Sequence, residues 1–315
     1  MPEPLATLST LAIEKLSGGI TAIGINVPGH SHNVMSQDFM KELESVLSFL
    51  QQNPPRGLLV ESLRESSFLA GADVGQIDAV WSLPPACVKE LCDNGRKLLD
   101  MFAVSPWPSV AVIDGVCLGG GLEFALACDL RVATENRNTV LGMPEVKLGL
   151  LPGWGGTVRL PRLIGTGPAI ELIASGDAIT GSQAKNLGLV DACVPVHSAR
   201  ESACALLEQT IATKDYCKRR ADLQLPQVLD KPESDFLLAT TGAVIVARTK
   251  GNYPAPMVAF DTIMQGSTKS VEEAAVLESR AFSDLTQTSV AKQLVRVHRL
   301  GERNRRDCGL GESAQ

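Results

Sequence analysis

The chain has 315 residues, 44% hydrophobic and 20% charged, with a net charge of −6 from 29 basic and 35 acidic side chains. That supports one large folded domain, or a domain with an extension, and the acidic balance with only 4% aromatic residues argues against nucleic acid as a partner. No window approaches about eighteen uninterrupted apolar residues, which excludes a helical membrane span, and the opening MPEPLATLSTLAIEKL carries no basic leader or small-residue cleavage site.

In chain order, GITAIGINV (19–27) and GLLVESL (57–63) read as strands, rich in β-branched and aliphatic residues. Between them SQDFMKELESVLSFLQQN is helical, with Ser36 placed to cap it. That is a βαβ unit. A helical stretch over VKELCDNGRKLLDMFAV (88–104) leads to the strand PSVAVIDG (108–115), and DLRVATEN (129–136) and GLVDACVP (188–195) add two more, with the helical GPAIELIASG between them. Strands alternating with helices over some 200 residues predict an α/β core. Charge and proline rise across 212–235. Beyond it, VEEAAVLESRAFSDLT and SVAKQLVRVHRLGERNRR have the spacing of amphipathic helices. The expected organisation is a core over 1–200 and a helical extension over 201–315.

Three loops hold candidate chemistry. SSFLAGADVGQI leaves the second strand through Ala70, Gly71, Ala72 and Asp73, a small-residue turn that exposes backbone N–H groups and reads equally as an ordinary tight turn. GGGLEFALACD runs three glycines into a helix, aiming free N–H groups and the positive dipole end at one point. Glu123, in the first turn, is there either a favourable helix-start anion or a functional carboxylate. In NTVLGMPEVKLGLLPGWGGTVRLPRLIG, Glu145 follows Pro144, and PGWGGT opens a helical run expected to break at Pro161. Glu145 alone reads as a surface acid. Together, two carboxylates and two N–H-rich turns are the parts needed to add water across a double bond next to a carbonyl: a base for water, an acid for the neighbouring carbon, and donors for the enolate oxygen.

LAGAD, CLGGGLEFALACD and LGMPEVKLGLLPGWGGTVRLPRLIG, in that order, resemble the signature segments of the crotonase (enoyl-CoA hydratase/isomerase) superfamily. INVPGHSHNVMSQDF, TVLGMPEVKLGLLPG and TKGNYPAPM are similar to the hydratase region of multifunctional α subunits of fatty acid β-oxidation complexes, and the helical extension resembles their linker to a dehydrogenase domain. The resemblance implies a spiral of ββα units and reversible hydration of trans-2-enoyl-CoA to 3-hydroxyacyl-CoA. Isomerisation of 3-enoyl-CoA is the alternative, and non-catalytic acyl-CoA or RNA binding a distant one. It makes Ala72 and Gly120 the oxyanion donors, Glu123 and Glu145 the catalytic carboxylates, and Ala70, Gly71, Asp73, Gly153 and Trp154 parts of the substrate site.

The resemblance also implies that coenzyme A enters only as part of the acyl-CoA thioester substrate, with no metal and no other cofactor. His30, His32, His197 and His298 form no cluster in the sequence, His30 and His32 are expected in solvent beside a turn-like PGHSHN, and the eight cysteines lack metal-type spacing and are expected as buried, reduced thiols of a cytoplasmic protein. A homo-oligomer is expected, with a thiolase or a dehydrogenase as a further partner. No GxGxxG follows a strand, since GTGPAI at 165–170 has the wrong glycine spacing, so no dinucleotide-binding half is expected. Arg296, Arg299, Arg303, Arg305 and Arg306 gather on the last helix, where a basic end complements the helix dipole.

Overall fold

A computed structural model describes residues 3–73 and 80–307. The strands are β1 (Glu3–Thr7), β2 (Leu11–Lys15), β3 (Ile20–Ile25), β4 (Gly57–Ser62), β5 (Ser67–Leu69), β6 (Ser109–Ile113), β7 (Val116–Leu118), β8 (Leu130–Thr134), β9 (Val140–Gly142), β10 (Ala178–Thr180) and β11 (Ala192–Val194). They form a seven-stranded sheet, β1-β2-β3-β4-β6-β8-β11, and a four-stranded sheet, β10-β9-β7-β5. The chain therefore gives one strand to each sheet in turn (β4 then β5, β6 then β7, β8 then β9), and successive turns stack in parallel. This is the expected α/β spiral of ββα units. The antiparallel ribbon β1-β2-β3 opens the large sheet.

Helix α1 (Gln37–Gln52) begins where Ser36 accepts the Phe39 N–H at 3.2 Å, as expected of an N-cap. Its stripe of Phe39, Leu43, Val46, Leu47 and Leu50 is buried, each side chain contributing roughly 1.5–3 kcal/mol by transfer from water. Helix α2 is Pro85–Ala103, and α3 (Gly120–Ala127) is buried along its whole length, so propensity matters less there than enclosure. Helix α4 (Gly156–Ile164) does not break at Pro161. The proline forgoes one bond to the Thr157 carbonyl, but Val158, Leu160 and Pro161 are all buried, and packing holds the turn. Next come α5 (Thr166–Ser175), α6 (Gly181–Asn186), α7 (Ala199–Thr213), α8 (Asp215–Gln224), α9 (Lys231–Thr249), α10 (Pro254–Ser267), α11 (Val271–Thr286) and α12 (Ser289–Asp307).

The main core fills the space between the two sheets and their helices, with Phe124 at its centre against Phe39, Phe68 and Phe102. The far face of the large sheet is covered by α7, whose Ala203 and Leu207 meet Ile20, Leu59, Val110 and Val132. The 200/201 boundary expected from composition falls within the first turn of α7. From α9 onward the described chain is helical, and α10 and α11 pack back onto α4, α5 and α2. No helix among the described residues is long and apolar enough to cross a membrane.

Of the seven cysteines described, Cys92, Cys117 and Cys128 are buried, whereas Cys87 and Cys217 are exposed. The expectation of uniformly buried thiols is corrected, because those two lie on outward helix faces. His32 is half-buried rather than solvated, its Nδ1 enclosed without a partner. The side chains of Arg305 and Arg306 and residues 74–79 of the LAGADVGQI loop lie outside the described residues.

Candidate active site

Strand β7 is followed by Gly119, whose φ of 55° and ψ of −127° turn the chain into α3. A side chain is strained in that region, so glycine is required. Gly120 is the first residue of α3, and its N–H belongs to the helix-start set that has no intrahelical acceptor. The other turn, Ala70 to Ala72, follows β5. Met35 N donates to Gly71 O at 2.8 Å, and Met35 pairs with Ala72 as a parallel bridge, a geometry that directs the Ala72 N–H away from Met35. A Cβ on Gly71 would come within 3.0 Å of Leu118 O and 3.5 Å of Gly120 N. The two turns thus meet backbone to backbone, with the Ala72 and Gly120 amides on neighbouring segments.

Asn33 holds this junction, and sequence reading did not single it out. Fully buried, it accepts from Val27 N at 2.8 Å and donates from Nδ2 to Ser62 Oγ, to Ser67 O and to Phe68 O. Its carbonyl takes the Ala70 N–H at 2.8 Å. One residue therefore ties the end of β3 to β5 through its side chain and to the turn carrying Ala70 and Gly71 through its backbone carbonyl. Its signal was a polar residue in a turn, which many exposed asparagines share.

Glu123 lies in the first turn of α3 and is 2% exposed. Its Oε1 accepts Trp154 N–H at 2.7 Å and Gly156 N–H at 2.8 Å. Burial, and then the like charges of Glu278 and Glu145, push its carboxyl well above the ordinary range, while the two amides pull the other way. Glu145 sits in a single 3-10 turn, Pro144–Leu148, directly after β9. Burial raises its carboxyl to about 7, and its Oε2 is enclosed without a hydrogen-bond partner. A Cβ on Gly119 would stand 2.6 Å from Glu145 Oε1. The second carboxylate therefore rests against the glycine that starts the first one's helix.

Trp154 and Gly153 also reach this place. The Trp154 ring lies over Gly120 and Gly95, where added Cβ atoms would come within 2.7 Å and 2.3 Å of it. Gly153 is buried against Phe282 and Cys92. Asp73 is half-buried at the edge of the described stretch. Eight of the nine residues expected of the site thus lie on segments that converge around the start of α3, and Asp73 is the last described residue of the Ala70–Ala72 turn before the gap at 74–79.

A third carboxylate, Glu278 on α11, also reaches this place. It is 1% exposed and accepts Gly155 N–H at 2.6 Å, Thr157 N–H at 2.8 Å and Thr157 Oγ1–H at 2.6 Å. Sequence reading did not single it out within the amphipathic helix VEEAAVLESRAFSDLT. The available signal was its spacing: Ala274, Ala275, Glu278 and Leu285 share the buried stripe of α11, where an unpaired glutamate is costly.

Chemically, the arrangement brings two backbone amides on neighbouring segments beside two carboxyl groups whose hold on a proton is strengthened, that of Glu145 to about 7. That is a device for moving protons beside a polarised carbonyl. Among the described residues no three His, Cys, Asp or Glu side chains gather into a metal-binding group.

Residues 15–231 match the family described as Enoyl-CoA hydratase/isomerase. The chain is 40% identical over 285 residues to the fatty acid oxidation complex subunit alpha of Vibrio cholerae, covering 86% of this chain and 38% of that protein. With the Shewanella halifaxensis protein of the same description the identity is 34% over 306 residues, covering 96% and 42%. The chain thus spans about two fifths of the length of these curated relatives. Among solved structures, an enoyl-CoA hydratase from Bacillus anthracis superposes with a TM-score of 0.60 at 31% identity, over 76% of this chain and 89% of that one. Human mitochondrial delta3-delta2-enoyl-CoA isomerase shares the fold, with a TM-score of 0.65 at 22% identity over 93% and 99%.

Proposed function

The chain belongs to the enoyl-CoA hydratase/isomerase family, and on that premise we propose that it is an enoyl-CoA hydratase acting on trans-2-enoyl-CoA thioesters in fatty acid β-oxidation. The observation that carries this reading is the pair of buried carboxyls, Glu123 and Glu145, on either side of Gly119 and Gly120. Ala72 and Gly120 donate to the thioester oxygen, where one such donor is worth on the order of 100- to 1,000-fold in rate.

Glu123, whose Oε1 accepts two amides, acts as the base. It takes a proton from water as the hydroxide oxygen bonds to carbon 3, and the double-bond electrons move onto the thioester oxygen as an enolate. Glu145, which retains a proton close to neutral pH, protonates carbon 2 as the enolate collapses. Glu123 then holds the proton taken from water while Glu145 is ionised, and transfer of that proton from Glu123 to Glu145 restores the start. Fatty acid oxidation as the setting is supported by the descriptions of the relatives. A second reading, shuttling of one proton between carbons 2 and 4, is favoured by the unpartnered Glu145 Oε2, which needs no second carboxylate.

Glu123→Gln and Glu145→Gln should each slow hydration by about 100-fold or more, followed as loss of the ultraviolet absorbance of the conjugated thioester. If Glu123→Gln hydrates normally while Glu145→Gln is inactive, the two-carboxylate hydratase is wrong and the isomerase stands.

A further inference from the structure

Four successive backbone N–H groups at the start of α4 are divided between two buried carboxylates. Trp154 and Gly156 donate to Glu123, and Gly155 and Thr157 donate to Glu278. Gly155 has φ 106° and ψ 9°, so adjacent amides point to opposite sides and neither carboxylate can take all four. The two acids come from distant parts of the chain, Glu123 from the spiral and Glu278 from the helical region beyond it, and both are sealed from solvent.

The groups facing Glu278 are Glu123 from α3, Glu145 from the 144–148 turn, the Cys92 thiol from α2 and Arg159 from α4. Arg159 also donates to Trp154 O at 2.7 Å and bonds Asp100, so its charge is already shared. A second carboxylate beside Glu123, whose nearest cation is shared with Asp100, is costly unless its hydrogen bonds offset it.

We propose, building on the hydratase reading, that Glu278 is a positioning residue: it fixes the 154–157 turn so that two amides meet Glu123 Oε1, and its charge governs which of Glu123 and Glu145 keeps the proton. Burial pushes the Glu278 carboxyl up, but three donors and Arg159 act against that. Glu278 is therefore the member of the three best able to remain an anion. With that anion in place, a proton is retained by the pair in front of it.

The test is Glu278→Gln, which keeps the shape and removes the charge. In the wild type, the acid limb of the pH–rate profile and the infrared band of the protonated Glu123 carboxyl, identified by its loss in Glu123→Gln, should titrate together. In Glu278→Gln both midpoints should move to lower pH by roughly one unit, with kcat down about 10-fold and KM little changed. Glu278→Asp, which restores the charge, should return the midpoints toward wild type. Should Glu278→Gln fail to fold, Thr157→Val removes one of the three donors to Glu278 and should move both midpoints the same way by less. A folded Glu278→Gln whose infrared midpoint is unchanged overturns the proposal. A shifted infrared midpoint in a protein that hydrates no enoyl-CoA supports Glu278's influence on the proton while overturning the hydratase reading on which its role in catalysis rests.

Discussion

Replacing Gly119 with alanine probes the contact between backbone and catalytic carboxylate directly. At φ 55° and ψ −127° a Cβ costs roughly 1–3 kcal/mol in backbone strain, a loss of a few degrees in Tm for a chain of this size. That Cβ would also stand 2.6 Å from Glu145 Oε1, so relaxation to an ordinary contact near 3.4 Å moves the carboxyl by 3.4 − 2.6, about 0.8 Å. A misplacement of that order in a reacting group costs up to about 100-fold in rate. Gly188→Ala is the control, since Gly188 also has positive φ, 74°, but has nothing within 4 Å of its added Cβ. Both variants should lose stability in thermal unfolding, and only Gly119→Ala should lose about 10- to 100-fold in kcat for enoyl-CoA hydration. If the two variants keep the same kcat, the placement of Glu145 against Gly119 has no catalytic meaning.

Arg220→Ala should destabilise the protein by about 3–5 kcal/mol in urea unfolding, because its Nε and Nη2 meet the buried Asp129 carboxylate at 2.6 and 2.8 Å. A loss under about 1 kcal/mol would mean that Asp129 is held by Ser109 alone. Glu145, raised from 4.5 to about 7, keeps a proton in the folded state that the unfolded chain has released. Stability should therefore fall as pH rises from about 4.5 to about 7, by up to about 3 kcal/mol. Denaturant titrations across that range should show the slope, and Glu145→Gln should flatten it. Gly95→Ala places a Cβ 2.3 Å from Trp154 Nε1 and should displace the indole, seen as a change in tryptophan fluorescence, with about a 10-fold fall in kcat/KM for hydration. An unchanged spectrum and rate would place Trp154 outside the substrate path.

Much of the fold could be read from local pattern. Ser36 capping α1, the apolar stripe of that helix and the β-branched runs of β3, β4 and β6 depend on neighbours within a few positions, and the structure contains them. Pro161 and the cysteines were misjudged for the complementary reason. Whether a helix survives a proline, or a thiol reaches solvent, depends on what packs against it from elsewhere.

The site divides the same way. The glycines before α3 and Glu123 are conspicuous in sequence because backbone donors need glycine and charges among apolar residues are rare, whereas Glu145 alone reads as a surface acid and stands out only beside the other two loops and through the family resemblance. Glu278 is not, because Gly155 and Glu278 stand 123 positions apart and only folding brings them within hydrogen-bond reach. By itself the sequence determined which backbone segments turn, cap and bury, since those follow from periods of two and 3.6 residues and from glycine's freedom at positive φ. Only the tertiary structure decided that three carboxylates share one dry volume and how four amides are divided between two of them, because burial and charge coupling are properties of distances through space.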